Sequence, residues 1–146
     1  MIVVTTNDIP GYRVEAVLGE VMGLTVRSAT MGANFTAGLR AMGGGEITEY
    51  TRVVQQSRQE VMHRMATDAA ARGGNAIIAM RFDNGSIGTS FTEVCAYGTA
   101  VVVVPIPAGE PGSTPQSAHA ASVAAVGTSG PVTRTSTTPP PPPPLV

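Results

Sequence analysis

The sequence predicts a small α+β domain over residues 1–104, followed by a disordered tail over residues 105–146. Three observations lead to this prediction. All six aromatic residues lie before residue 98, so the material for a packed core is confined to the first two thirds of the chain. Runs of β-branched residues flank a long segment of helical periodicity, and the composition changes abruptly at Pro105. A chain of 146 residues is short for two domains, so we expect one core.

The first 26 residues predict strands. Residues 2–5 form a short β-branched run, and the segment after it ends in the turn-forming pair Pro10-Gly11. β-forming residues continue over residues 12–26 but are interrupted by Gly19 and Gly23. Glycines inside a strand indicate a bulge or the close approach of another backbone. We therefore expect one long bent strand or two short ones.

The middle of the chain predicts two helices. Residues 34–42 carry three apolar side chains at helical spacing behind Asn34 as a candidate N-cap, and the glycines at 43–45 end this short helix. Residues 46–72 form the most regular segment, with apolar residues three, four or seven positions apart and polar residues between them. The apolar set is Ile47, Tyr50, Val54, Val61, Met65 and Ala69. Gly73-Gly74 ends the helix, because glycine adopts a left-handed cap at little cost.

Two further strands are predicted over residues 75–82 and 91–104, joined by a hairpin turn at Asp83-Asn84-Gly85-Ser86. The second half of the last strand is apolar on both faces, so it should be a buried central strand or be covered by another subunit. The predicted order is β-β-α-α-β-β. We expect a small mixed or antiparallel sheet packed on one long helix and one short helix.

The tail is rich in Pro, Ser, Thr and Ala, and its only charged residues are Glu110 and Arg134. Such a segment buries too little apolar surface to offset the entropy of ordering it. The prolines at 139–144 predict polyproline II helix, a conformation that aromatic-lined grooves of partner proteins recognise. A solubilising tail is the competing interpretation, and the more common one.

Composition and charge argue against several function classes. The nine basic residues are all Arg and are scattered singly among ten acidic residues, so no basic stripe is available for nucleic acid. The N-terminus lacks the pattern of a signal peptide, and no run of about 18 apolar residues predicts a membrane span. We expect a soluble cytoplasmic protein with no membrane partner. The single cysteine, Cys95, cannot form an internal disulfide.

Five segments, taken in order, resemble the YbjQ-like family. They are residues 1–7 (MIVVTTN), 17–23 (VLGEVMG), the long helix, 73–78 (GGNAII) and 97–103 (YGTAVVV). The resemblance covers residues 1–104. It implies a mixed sheet packed on the long helix, and subunits that associate into a ring, typically a pentamer. The family groups bacterial proteins of uncharacterised role that often carry the label of heavy-metal-binding domains.

Ligand chemistry gives the metal label limited support. Soft metals bind clusters of thiolates and imidazoles, whereas residues 1–104 contain one cysteine, Cys95, and one histidine, His63. These two residues could bind a divalent or heavy metal if several copies brought them together around a symmetry axis. The competing interpretation is a buried structural cysteine and a solvated or interface histidine.

Glu93 shares one strand face with Cys95 and Tyr97, which makes Glu93 and Tyr97 candidates for an interface or ligand site. Paired with an arginine of another subunit, Glu93 would be structural; unpaired in a pocket, it would be a candidate acid or base. No catalytic triad pattern or phosphate-binding glycine motif occurs. The sequence therefore favours a non-enzymatic, ring-forming homo-oligomer that acts as a scaffold or binding module. A metal-binding protein with ligands shared between subunits, and an enzyme or small-molecule binder with an interface site, are the alternatives.

Overall fold

The computed structural model describes residues 1–28, 48–88 and 91–128. The described elements, in chain order, are β1 (Ile2–Val3), β2 (Tyr12–Ser28), α1 (Thr48–Ala71), β3 (Ala76–Ile87), β4 (Phe91–Pro105) and α2 (Pro115–Thr128). This content confirms the predicted α+β class. The predicted short helix over residues 34–42 and the prolines at 139–144 lie outside the described residues. No helix in the described part of the chain is long and apolar enough to cross a membrane.

The four strands form one mixed sheet in the order β1-β3-β4-β2. β1 runs parallel to β3, and the other two pairings are antiparallel. β4, whose second half is apolar on both faces, therefore lies in the centre of the sheet, where Val101 and Val103 are buried. The sequence left two explanations for the apolar second half of this strand, a central position or cover by another subunit. The central position between β3 and β2 accounts for it.

β2 is one continuous strand whose two glycines have different roles. The pairing of β2 with β4 shifts register between Val17 and Gly19, and Gly19 has φ +95°, a conformation that suits glycine at a bulge. At Gly23 a Cβ atom would lie 1.9 Å from the carbonyl oxygen of Val61 on α1. Both predicted reasons for a strand glycine, the bulge and the close backbone approach, are confirmed.

α1 packs on one face of the sheet through residues spaced four apart. Val61, Met65 and Ala69 are fully buried, and Ser57, also buried, donates its hydroxyl hydrogen to the carbonyl oxygen of Val53. Val54, which is 46% exposed, is seven residues before Val61 and so lies on the same side of α1, about two turns nearer the start of the helix.

The helix ends as predicted at the glycine pair. Gly73 has φ +84°, its N–H donates to the carbonyl of Ala70, and the Gly74 N–H donates to the carbonyl of Ala69. These two bonds form a Schellman motif, which satisfies carbonyls that the helix leaves unpaired.

The position of the predicted hairpin turn was wrong. Asn84 and Gly85 lie inside β3 and pair with Val94 and Glu93 of β4. The ladder continues to the apolar pair Ile87 and Phe91, and the turn begins at Gly88, which has φ +61°. Cross-strand pairing therefore outweighs the local turn preference of Asn84-Gly85, and a later glycine supplies the left-handed conformation that the turn needs.

The structure also differs from the predicted disorder over residues 105–128. The Ile106 N–H donates to the carbonyl of Gly11, and α2 follows at Pro115. Thr114 and Ser117 cap the start of α2 reciprocally, since each backbone N–H donates to the other residue's hydroxyl oxygen at 2.9 and 3.1 Å. Ser117 is fully buried and also donates to the carbonyl of Ile106. The cap and this anchor order a segment whose composition alone predicted disorder; residues 129–146 lie outside the described part.

Candidate functional site

The sheet face opposite α1 is covered over only half of its length. Near the start of β3 and the end of β4, the N-terminal segment packs over this face and buries a small cluster that contains Ile9, Ala76, Val101 and Val103. Towards the β3–β4 turn the same face is uncovered. We call this region the open face and define it by Glu20, Met22, Leu24, Val26, Asp83, Glu93, Cys95 and Tyr97.

Strand alternation and register place these residues on one side. On β2, Val21 and Thr25 are buried on the side that packs against α1, so the alternate residues Met22 and Leu24 face the other way. Met22 pairs with Tyr97, Leu24 with Cys95, and Val26 with Glu93. From β3, Asp83 pairs with Cys95. Three strands therefore contribute side chains to one surface.

A cavity of about 310 Å³ opens on this face. It is lined by Glu20, Met22, Asp83, Gly85, Glu93, Cys95 and Tyr97. Three of these side chains are carboxylates, and none is basic. The cavity is therefore acidic, with an apolar side provided by Met22 and the ring of Tyr97.

The environment of Cys95 determines its chemistry. The residue is 7% exposed, and this burial is the main cause that raises the pKa of its thiol. The negative charges of Glu93, Asp83 and Glu20 raise the pKa further. A nucleophilic or metal-bound cysteine is a thiolate, whereas this environment keeps the thiol protonated at neutral pH. Cys95 is therefore a poor nucleophile within a single chain.

The structure brings three of the predicted site residues together and leaves one apart. Glu93, Cys95 and Tyr97 all line the cavity. His63 is exposed on α1, which covers the opposite face of the sheet. Among the residues that the structure describes, no three His, Cys, Asp or Glu side chains are grouped to hold a metal ion. A site that uses both Cys95 and His63 would need ligands from more than one copy of the chain.

Sequence reasoning did not select the other lining residues, Glu20, Met22 and Asp83. Glu20 and Asp83 were two of many carboxylates that spacing alone could not rank. The signal that identifies them is cross-strand register, and both partner strands shift register against β4. On β3 the shift falls between Ile78 and Arg81, around Ala79 with φ 54°.

A family model described as "Putative heavy-metal-binding" matches residues 1–104. The chain belongs to this YbjQ-like family. A UPF0145 protein of Acidothermus cellulolyticus is 53% identical over 103 residues, which are 70% of this chain and 95% of the relative. A UPF0145 protein of Mycobacteroides abscessus is 50% identical over 106 residues, 73% of this chain and 99% of the relative. These matches confirm the resemblance seen in the sequence.

A solved structure of a protein of unknown function from Pediococcus pentosaceus superposes with a TM-score of 0.47 at 17% identity, covering 70% of this chain and 97% of that one. Similarity at this level is too low to inform on function. The family match ends at residue 104, so α2 lies outside the region that the chain shares with its family.

Proposed function

We propose that the chain is a non-enzymatic module that associates with copies of itself through the open face, as a scaffold or binding module. The ring, typically a pentamer, that the family resemblance implies is the assembly we propose. One observation carries this proposal. Met22, Leu24 and Val26 lie side by side along β2 and are 48%, 40% and 47% exposed.

Apolar side chains scattered singly over a surface need no explanation, but a contiguous patch does. Here the patch continues across the sheet to Tyr97 and Phe91, which are also exposed. A domain of about 100 residues buries a smaller fraction of its surface than a larger one does. Covering the open face with another copy would therefore add stability that the single domain lacks.

The charge of the open face favours one geometry of association. Packing two open faces together about a two-fold axis would bring the carboxylates of Glu20, Asp83 and Glu93 from both copies into one interface. Like charges across an interface cost several kcal/mol. A head-to-tail arrangement, in which the open face meets a different surface of the next copy, avoids this repulsion. Head-to-tail contacts that close on themselves produce rings.

Light scattering coupled to size exclusion, at micromolar concentration, tests the proposal. We expect an oligomer for the unmodified chain, and a lower mass for Leu24→Glu because a carboxylate would have to be desolvated in the interface. Val54→Glu is the matched control, since Val54 is similarly exposed (46%) but lies on α1. A monomer mass for the unmodified chain, or equal dissociation of both variants, would contradict the proposal.

A second candidate is metal binding with ligands shared between copies. The observation that favours it is the position of Cys95, whose thiol lines a cavity with three carboxylates. Binding would release the thiol proton, so metal affinity should increase with pH. Elemental analysis of protein purified without an affinity tag, beside Cys95→Ser and His63→Ala, tests this. Absence of bound metal from the unmodified chain would rule the candidate out.

A further inference from the structure

The outward edge of β2 is a surface on which another strand could pair. Among the described residues β2 has one strand neighbour, β4, on its other side. The backbone groups of every second residue on β2 therefore point away from β4. Such an edge is a template for strand addition by another chain unless something blocks it.

Two arginines of α1 reach this edge. The Nη1 atom of Arg64 donates to the carbonyl oxygen of Leu24 at 2.6 Å, and the Nη1 atom of Arg72 donates to that of Glu20 at 2.7 Å. These carbonyls are four residues apart on β2, with no register shift between them, so they point the same way. The backbone of Met22 points to this side as well and lies between the two guanidinium groups.

Each arginine is oriented by an acidic residue one turn earlier on the helix. Arg64 forms an ion pair with Glu60 at 2.7 Å. Arg72 forms a two-point ion pair with Asp68, with Nε–Oδ1 at 3.1 Å and Nη2–Oδ2 at 2.8 Å. The same three-part unit of acid, arginine and strand carbonyl thus occurs twice along β2.

The spacing of the two units follows from helix and strand geometry. Eight residues of α-helix rise about 12 Å, and four residues of strand about 13 Å. The two arginines are therefore separated along α1 by nearly the same distance as the two carbonyls along β2. Gly23 makes the reach possible, since α1 approaches β2 so closely there that no Cβ fits.

The ion pairs themselves contribute little to stability, because the side chains of Arg64 and Arg72 are 51% and 42% exposed. The hydrogen bonds nevertheless occupy two outward carbonyls and place charged side chains across the edge. Charged side chains at an edge are a common means of preventing strand addition.

We infer that Arg64 and Arg72 close the outward edge of β2 to strand addition and so direct self-association to the open face. Closure of the edge is inferred from the contacts just described. The direction of self-association to the open face rests on the proposed function. The two arginines are thus specificity-determining residues for how copies of this chain meet.

The double variant Arg64→Met/Arg72→Met tests the inference, because methionine keeps an unbranched stem and removes the donors and the charge. We expect at least a doubling of the weight-average mass over the unmodified chain as concentration rises, with thioflavin T binding and new hydrogen-exchange protection of the Met22 amide. Arg52→Met is the control, since it removes an exposed arginine nearer the start of α1 and should change none of these readouts.

A folded double variant that keeps the mass of the unmodified chain and a fast-exchanging Met22 amide would overturn the inference. If the double variant does not fold, the single variants Arg72→Met and Asp68→Asn are tested in the same way. We expect the weight-average mass to increase less for Arg72→Met than for the double variant, and less again for Asp68→Asn. A monomeric unmodified chain would contradict the proposed function and, with it, the direction of self-association to the open face. Closure of the edge would still be tested, because the edge readouts of the variant could be measured against that monomer.

Discussion

Replacing Gly23 by alanine should destabilise the fold strongly, although local preference predicts the opposite sign. A glycine changed to alanine at a compatible backbone position stabilises a protein by about 0.4–1 kcal/mol, since the unfolded chain loses freedom. Gly23 has no positive φ that would strain an alanine. The new Cβ, however, would lie 1.9 Å from the Val61 carbonyl oxygen and 2.8 Å from the Met65 nitrogen.

Both atoms belong to the backbone of α1, so a side-chain rotation cannot relieve the contact. Ordinary contact requires 3.4 Å or more, so the helix must move away by more than an ångström. A gap of about 0.5–1 Å already forfeits a quarter to a half of each contact energy, and overpacking of this kind costs about 1–3 kcal/mol. Because Val61, Met65 and Ala69 would all loosen, we expect a loss of about 3 kcal/mol. The melting midpoint should fall by roughly 10–20 °C.

Urea and thermal unfolding followed by circular dichroism, at one fixed protein concentration, measure this loss. Gly85→Ala is the matched control, because its new Cβ would contact only the side chain of Glu93, with the flexible Oε2 at 3.2 Å and the Cβ at an ordinary 3.8 Å. We expect the control to stay within about 0.5 kcal/mol of the unmodified chain. Equal or greater stability of Gly23→Ala would refute the reasoning from close approach.

Three further predictions concern other parts of the chain. Asn75→Ala removes a side chain that donates to the Val103 carbonyl and accepts from the Val103 N–H, both at 2.8 Å. We expect the free energy of unfolding, measured in urea, to fall by about 1–3 kcal/mol. A change below about 0.5 kcal/mol would contradict this. Thr114→Ala removes the cap of α2 and should cost that helix about 1 kcal/mol, seen as faster proteolysis of residues 115–128 with an unchanged domain midpoint. The pKa of the Cys95 thiol is raised in the folded chain. The thiol therefore contributes its full stability below the ordinary thiol pKa, about 8.5, and this stability is lost as pH rises through the folded-state pKa. Unfolding free energies of the unmodified chain and Cys95→Ser should converge as pH rises above that value, and a pH-independent difference would contradict this.

The elements that were predictable from sequence are those whose periodicity runs through a long segment. α1 and β4 have clear periods, and tertiary packing agrees with the local pattern in both. The hairpin turn was misplaced because Asn84-Gly85 is a strong local signal, whereas the pairing of Ile87 with Phe91 extends the ladder past it. Local turn preference cannot show how far a ladder continues.

The helix α2 was missed for a different reason. An argument from composition averages over all residues from 105 to 146 and so conceals one short segment that has its own signals. Thr114-Pro115-Gln116-Ser117 is a capping sequence with proline at the first helical position, and an alanine-rich run with high helix propensity follows it. These signals mark the start of a helix inside the tail.

Only the part of the candidate site that lies on β4 could be predicted from the sequence. Alternation within β4 is enough to place Glu93, Cys95 and Tyr97 on one face of the strand. The residues opposite them depend on register, and register depends on the irregularities near Gly19 and Ala79. A one-residue shift moves every side chain of a strand to the other face. The acidic character of the cavity therefore follows from the bulges and cannot be obtained from composition.

Gly23 connects the packing of the core with the closure of the edge. It lies between Glu20 and Leu24, whose carbonyls the two arginines occupy, and it faces the turn of α1 that carries Val61 and Met65. A helix displaced by a side chain at Gly23 would withdraw both guanidinium groups from β2. A Gly23→Ala variant that still folds should therefore lose stability and expose the edge together. The double arginine variant should expose the edge while the core stays packed, so comparing the two separates the contributions of α1 to stability and to the choice of interface.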